Sequence, residues 1–422
     1  MEIQTVNLAD LIIFVFLVVG NICLGLYFAI FKKKRMVTTN ELFLGSRSLK
    51  MFPLAVSTMA TMVSGLGIIG FTAHYYAYGL HVLWASVAIV LVSPLLVNAI
   101  VPVLYELQVT SVFQYLRMRF GKGVSMPSCA VFYFVSQTVG ALAISATSVA
   151  VSTVFHVPQF WTSLAIGLTG TVYTALGGLR GVVWTDCMQA LLLVITPATV
   201  IIKVGYDIIH QGLVLRPFSA TDFRNYMLNT SFDAAQDENL WSCLIGLLAM
   251  NTYRTLLDQT VAQRYLAART LSDAKRTVYT GTILTRLMFV TNSLLALTLR
   301  YWYRDCDPEL TGEISKPDQI LPLYVIQNLS TFPGFCGIFL AGVVGATTST
   351  ISSLINSQAT VCYVDIVSEF RFLNGTVMTV YAITVTYMGS VGRTWKLLNR
   401  QYLYFQRDSV SFAYGVSEVI YL

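Results

Sequence analysis

Long apolar runs separated by short polar ones dominate this chain, so the first test is whether each run can cross a bilayer. About 20 helical residues, rising about 1.5 Å each, span a hydrocarbon core roughly 30 Å thick. Nine runs meet that need: Leu11–Phe31, Phe52–Tyr76, Val82–Leu104, Cys129–Phe155, Phe160–Leu176, Val182–Val204, Leu240–Leu257, Tyr279–Tyr301 and Gly334–Ile366. Val377–Val391 is a short tenth, diluted by Thr and Gly. The pattern predicts an all-α polytopic membrane protein over residues 1–392. Residues 393–422 carry Arg400, Arg407, Asp408 and Glu418 without a comparable run, and they are expected to form a divergent, non-spanning tail.

Composition agrees. Only 11% of the 422 residues are Asp, Glu, Lys or Arg, against about 25% in soluble domains, so lipid is the main solvent. The charge of +6 does not point to nucleic acid, because no basic stretch is interleaved with aromatics as a binding face would be. It points to membrane orientation. With the N-terminus outside, the inside loops hold Lys32–Arg35, Arg47, Lys50, Arg117, Arg119, Lys122, Arg180, Arg264, Arg269, Lys275 and Arg276. Acids such as Asp233, Asp237, Glu238, Asp305, Asp307, Glu309 and Asp318 fall outside, which matches the positive-inside bias. Asn229 and Asn328 open N-x-S/T sequons on the outside and are candidate glycosylation sites; Asn374 opens one inside. The basic cluster follows the first run rather than preceding it, so that run reads as a retained helix and not a signal peptide. Cys306 alone of seven cysteines lies in a polar loop, with Cys336 its one conceivable disulfide partner.

Three stretches are less apolar than a spanning helix requires. Ser57–Gly67 sets Gly65 and Gly67 among hydroxyls, which weakens a helix at mid-depth. Unwound backbone there must face protein or a wet cavity, and close packing through small residues is the competing explanation. Ala346–Ser353 has six hydroxyls in eight residues. They could serve a hard cation, which takes several oxygens near 2.4 Å, or bond back to the preceding turn. Met250–Gln259 places Arg254 and Asp258 near a span, either at a site or as an i, i+4 pair marking the exit. His74 and His81 flank Tyr75–Gly79 and read as an interfacial aromatic belt. No nucleophile elbow, P-loop or GxGxxG opens a helix, so the chain is not expected to be an enzyme.

Several segments together resemble the sodium:solute symporter family over about residues 8–392. They are Glu41–Arg47, Thr110–Gly121, Tyr173–Asp186, Asp258–Tyr265 and Pro333 through Ser349–Ser357 to Asp365. At Asp258 the family more often has Asn. The absence of tryptophans at Phe52-Pro53 is similar to the iodide, monocarboxylate and multivitamin branch.

The resemblance implies a LeuT-like inverted-repeat helical bundle with the solute bound at breaks in two mid-membrane helices. It further implies sodium-coupled symport of a small solute, such as an organic anion, across the plasma membrane by alternating access. Carried over by position, the sodium site falls on the carbonyls of Ala60, Val63 and Ala346 and the hydroxyls of Ser349 and Thr350, with Asp186 nearby. Substrate lining falls on Ser64, Gly67, Phe71, Ser145, Asn251 and Tyr253. Gly67 stands where iodide carriers have Gln, and Ser145 where Tyr is usual, so the solute does not transfer by analogy. The family has thirteen or fourteen spans, so the second repeat reads as incomplete and the chain as cut short at its C-terminal end. A non-transporting regulatory or scaffolding membrane protein is the alternative function.

Overall fold

The computed structural model describes residues 7–30, 39–211, 220–232, 239–314, 316–329 and 332–367. The tenth run, the Asn374 sequon and the tail lie outside them. Among the described residues the structure is helical, with one isolated β-bridge, Leu49 to Ala268. The helices are α1 (Leu8–Ile30), α2 (Thr39–Leu44), α3 (Met51–Met62), α4 (Gly65–Tyr78), α5 (Leu83–Glu106), α6 (Val112–Phe120) and α7 (Lys122–Phe155). They continue as α8 (Gln159–Gln211), α9 (Ala220–Met227), α10 (Leu247–Thr252), α11 (Gln259–Leu266), α12 (Leu271–Trp302), α13 (Ile320–Asn328) and α14 (Phe335–Val361).

Six of these are long and apolar enough to cross a membrane, and the bent pair α3–α4 makes a seventh span. The predicted pair 160–176 and 182–204 is joined in α8, whose 53 residues would extend about 80 Å if straight. Gly178 interrupts it with φ 55° and ψ −161°, backbone that a side chain opposes, and thereby yields two arms of spanning length. The predicted span 240–257 is also irregular. Its α10 core is flanked by π-helical turns at Ser242–Gly246 and Tyr253–Leu257.

The axis of the bundle is α14, packed against α8, α1, α7, α3 and α4. Fully 94% of its membrane window is buried, against 11% for α1. Lipid gives helices no hydrophobic reason to associate, so small residues must let the backbones approach. Gly337 lies against the backbone of Asp10, and Gly345 against Gln189 and Leu192. The hydroxyls of α14 are tolerated because their hydrogens return to nearby carbonyls: Thr348 to Val344 (3.0 Å), Ser352 to Ser349 (2.8 Å), Thr360 to Asn356 (2.8 Å). At the head of α14, Asp10 Oδ1 accepts from the N–H groups of Gly334 (2.9 Å) and Gly337 (3.1 Å). That carboxylate meets orphan donors and the positive helix end.

Other motif segments form a scaffold at one end of the bundle. Gln259 Oε1 accepts from the Val112 N–H (2.9 Å) while its Nε2 donates to the Thr110 carbonyl (3.2 Å). Arg117 pairs with Asp365 at 3.3 Å, and Arg180 with Glu41 at 3.2 Å. Cys306 is exposed and Cys336 buried, and they are not bonded to each other.

Gly178→Ala is expected to lower the thermal-unfolding midpoint of the detergent-purified chain. A Cβ there would sit 2.7 Å from the Leu42 carbonyl oxygen, on top of a backbone cost of about 1–3 kcal/mol. Gly205→Ala, in the same helix with nothing within 4 Å, should leave the midpoint unchanged or raise it.

Candidate functional site

The site begins where α3 fails to continue. Val63 (φ −107°, ψ 99°) and Ser64 (φ −87°, ψ 169°) are extended, and α4 leaves at 59° to α3. Ser64 caps the new helix, its Oγ accepting from the Gly67 N–H at 3.0 Å. A helix end frees carbonyls that have no intrahelical donor. One of them, on Thr61, accepts from the Thr350 hydroxyl of α14 at 3.3 Å. Gly65 makes this approach possible, because a Cβ would lie 2.8 Å from the Val343 carbonyl and 2.9 Å from Thr147 Oγ1.

All five positions matched to the sodium site are buried at this junction: Ala60, Val63, Ala346, Ser349 and Thr350. Thr350 Oγ1 also reaches the Ala346 carbonyl at 3.2 Å. Ser349 donates to Asp186 Oδ1 at 2.6 Å. A hydroxyl has one hydrogen and two lone pairs, so donating to Asp186 leaves the Ser349 oxygen able to accept on its other side. At the helix break the Thr350 hydroxyl thus meets the Thr61 and Ala346 carbonyls, and the adjacent Ser349 meets a buried acid.

The positions matched to substrate lining are less tightly gathered. Ser64, Gly67 and Phe71 follow the break on α4, and Phe71 meets Phe289 of α12 edge-on at 4.8 Å. Ser145 lies on α7, which also packs on α4. Asn251 and Tyr253 sit on the irregular segment 240–257, which packs on α5. The Asn251 amide donates to its own helix at Leu247 (2.9 Å), and Tyr253 is 39% exposed. Arg254 and Asp258 do form the i, i+4 pair, at 3.0 Å. Asp258 Oδ1 also caps α11 through the Thr260 N–H at 2.9 Å.

One expectation changes: Arg264 is not a loop charge. Among the described residues it is the largest fully buried side chain, and its Nη2 lies 3.0 Å from Asp186 Oδ2. Its Nε donates to Ser57 Oγ (2.8 Å), and the same Ser57 donates to Asp186 Oδ2 (2.5 Å). Nη1 bonds the Thr260 carbonyl and Nη2 the Ser353 hydroxyl. The sequence signal was the company it keeps: Gln259, Thr260 and Gln263 make α11 a run of hydrogen-bonding side chains, all buried. Arg264→Ala should cost about 3–5 kcal/mol, because it strands a buried carboxylate. Adding Asp186→Asn should recover more than half of that loss. Additive unfolding midpoints for the two changes would show that the pair is not coupled.

Comparison with known proteins agrees with this geometry. The chain is 29% identical over 363 residues to a putative sodium-dependent multivitamin transporter of Drosophila melanogaster, covering 86% of this chain and 59% of that one. It is 28% identical to human sodium-coupled monocarboxylate transporter 2 (87% and 59%) and 29% identical to the human sodium/iodide cotransporter (78% and 51%). The chain therefore spans about three-fifths or less of the length of these relatives. A substrate-bound, outward-open Na+-coupled sialic acid symporter superposes with a TM-score of 0.80 at 22% identity, covering 93% of this chain and 83% of that one. That likeness establishes the LeuT-like fold. The profile of the sodium:solute symporter family matches residues 42–391, and on a broken helix packed against a hydroxyl-lined axis, with a match of that extent, the chain belongs to that family.

Proposed function

We propose that the chain carries out sodium-coupled symport of a small solute, an organic anion such as a monocarboxylate or vitamin, across the plasma membrane. The observation that carries this reading is the pairing of the α3–α4 break with the hydroxyls of α14, joined where Thr350 meets the Thr61 carbonyl. A hard cation needs about six oxygens near 2.4 Å. The carbonyls of Ala60, Val63 and Ala346 and the hydroxyls of Ser349 and Thr350 offer five, with Asp186 balancing charge from behind Ser349. The sodium-coupled transporters among the relatives support the same ion, and those named for monocarboxylates and multivitamins support an organic anion. Asn229, half-buried two residues past α9, and Asn328, half-buried at the end of α13, are the proposed glycan acceptors.

The driving force suffices. Moving one positive charge inward yields about 2.3 kcal/mol per 100 mV. Each tenfold sodium gradient adds about 1.4 kcal/mol. For an uncharged solute one coupled ion would sustain accumulation of several hundredfold. With a monovalent anion one ion moves no net charge and sustains about tenfold, and a second ion brings the potential back into play.

The test is uptake of labelled butyrate and nicotinate by cells expressing this chain, with sodium or with choline in its place. Ser349→Ala combined with Thr350→Ala should raise the sodium concentration for half-maximal uptake about tenfold or more. An unchanged sodium dependence would refute the ion's placement. Uptake equal to mock-transfected cells, with the chain confirmed at the surface, would instead favour a scaffolding role.

A further inference from the structure

The helices α5 and α12 pack together and run antiparallel. The Tyr105 hydroxyl donates to the Ala268 carbonyl at 3.0 Å, just before α12 begins. Seven residues back along α5, about 10 Å deeper, Lys275 Nζ donates to the Asn98 side-chain oxygen at 2.9 Å. Deeper again, the Tyr279 hydroxyl donates to the Pro94 carbonyl at 3.3 Å. Asn98 is exposed on the outer surface of the bundle, and its amide donates to the Pro94 carbonyl (2.9 Å) and the Tyr279 oxygen (3.1 Å). A lysine below the membrane rim normally extends its amine toward water. Lys275 turns instead to a neutral amide, which takes one of an ammonium's three donors and none of its charge.

The rim above is basic. Arg269 donates through Nε to the Ser48 carbonyl at 2.7 Å, which leaves both its Nη groups for another acceptor. Arg47 stands over the Tyr105 ring at 5.9 Å and gives Nη2 to the Val109 carbonyl at 3.1 Å. With Lys50 and Arg276, both exposed, these make five bases beside two acids, Glu106 and Asp273. Among the described residues none of the five is in an ion pair, whereas Arg117, Arg180, Arg254 and Arg264 are each matched with a carboxylate. In the other direction the groove turns apolar. Leu91 and Leu95 of α5 and Ile283 and Leu287 of α12 are exposed. Their spacing of three or four residues from Asn98 and Tyr279, and from each other, keeps them on the same faces.

We propose that the groove between α5 and α12 binds an anionic phospholipid of the surrounding bilayer. Its phosphate sits between Lys275 and Arg269, with Arg47 and Lys50 at the rim, and its acyl chains run past Leu95 and Ile283. Charge and apolar surface follow one another in the order that a phospholipid presents them, and clustered bases between spanning helices suit a phosphate headgroup. The lipid holds α12, which also packs on α3 and α4, the two halves of the broken span. The proposal is independent of the transport reading.

The test uses the full chain in neutral detergent and follows its thermal-unfolding midpoint as dioleoyl phosphatidylglycerol, dioleoyl phosphatidylcholine or glycerophosphate is added. Phosphatidylglycerol should raise the wild-type midpoint at lower concentration than phosphatidylcholine, and glycerophosphate should leave it unmoved. Lys275→Gln and Arg269→Gln should each raise the phosphatidylglycerol concentration for half the shift about fivefold, the worth of one basic residue near an anionic surface. Lys316→Gln, which removes an exposed charge beyond the other end of α12, should keep the wild-type value. Equal response to the two lipids overturns the proposal, as does an unchanged response in Lys275→Gln or an equal loss in Lys316→Gln. A shift produced by glycerophosphate alone would assign the bases to a soluble phosphate and overturn the lipid. If Lys275→Gln does not fold, Arg269→Gln and the comparison of the two lipids decide.

Discussion

A charge in hydrocarbon must be neutralised by the protein itself, and the Asp186–Arg264 pair shows how much structure that demands. Neither side chain reaches solvent. Asp186 receives Ser57, Ser349 and Arg264; Arg264 gives to Asp186, Ser57, Ser353 and Thr260. Those partners come from α3, α8, α11 and α14, so satisfying one ion pair fixes how four helices meet. A pair this buried contributes little net stability, since desolvation offsets attraction. What it supplies is registration: a shift of any one helix would leave a carboxylate or guanidinium unmet in a medium that offers no substitute.

The same network touches the proposed ion site through Ser349. Its hydrogen points to Asp186, so the orientation of its oxygen depends on the acid, and the acid in turn on Arg264. The network and the break are therefore parts of one device, with α14 as its backbone. That helix carries hydroxyls along its length and is still the most enclosed span described, because glycines admit its neighbours and carbonyls absorb its hydrogens.

Spans with uniform apolar sequence were legible: α1, α5 and α12 lie within a few residues of their expected bounds, apart from the extension of α12 back to Leu271. The break in the Phe52–Tyr76 run was signalled by Gly65 and Gly67 among hydroxyls, though its position, at Val63 and Ser64, is set by the approach of α14, which sequence does not display. Gly178 was hidden because, with Gly177 and Gly181 beside it between two apolar runs, the stretch looks like an ordinary loop rather than a kink packed against Leu42. Arg264 was misplaced for a related reason. Charge counts assign a basic residue beside a span to the aqueous loop, and only tertiary structure shows α11 folded inward with its acid partner 78 residues earlier.

That separation has a bearing on how the chain is made. Ribosomes add about 5–20 residues per second, so Asp186 is synthesised roughly 4 to 16 seconds before the guanidinium that will neutralise it. Until then its helix either carries a protonated carboxyl or stays beside the aqueous channel of the insertion machinery. Asp10, whose amide partner at Gly334 follows 324 residues later, faces a longer wait but at the end of its helix, where water remains within reach. The buried pair thus sets the later end of that interval: the native ion pair of α8 can form only after α11 has emerged.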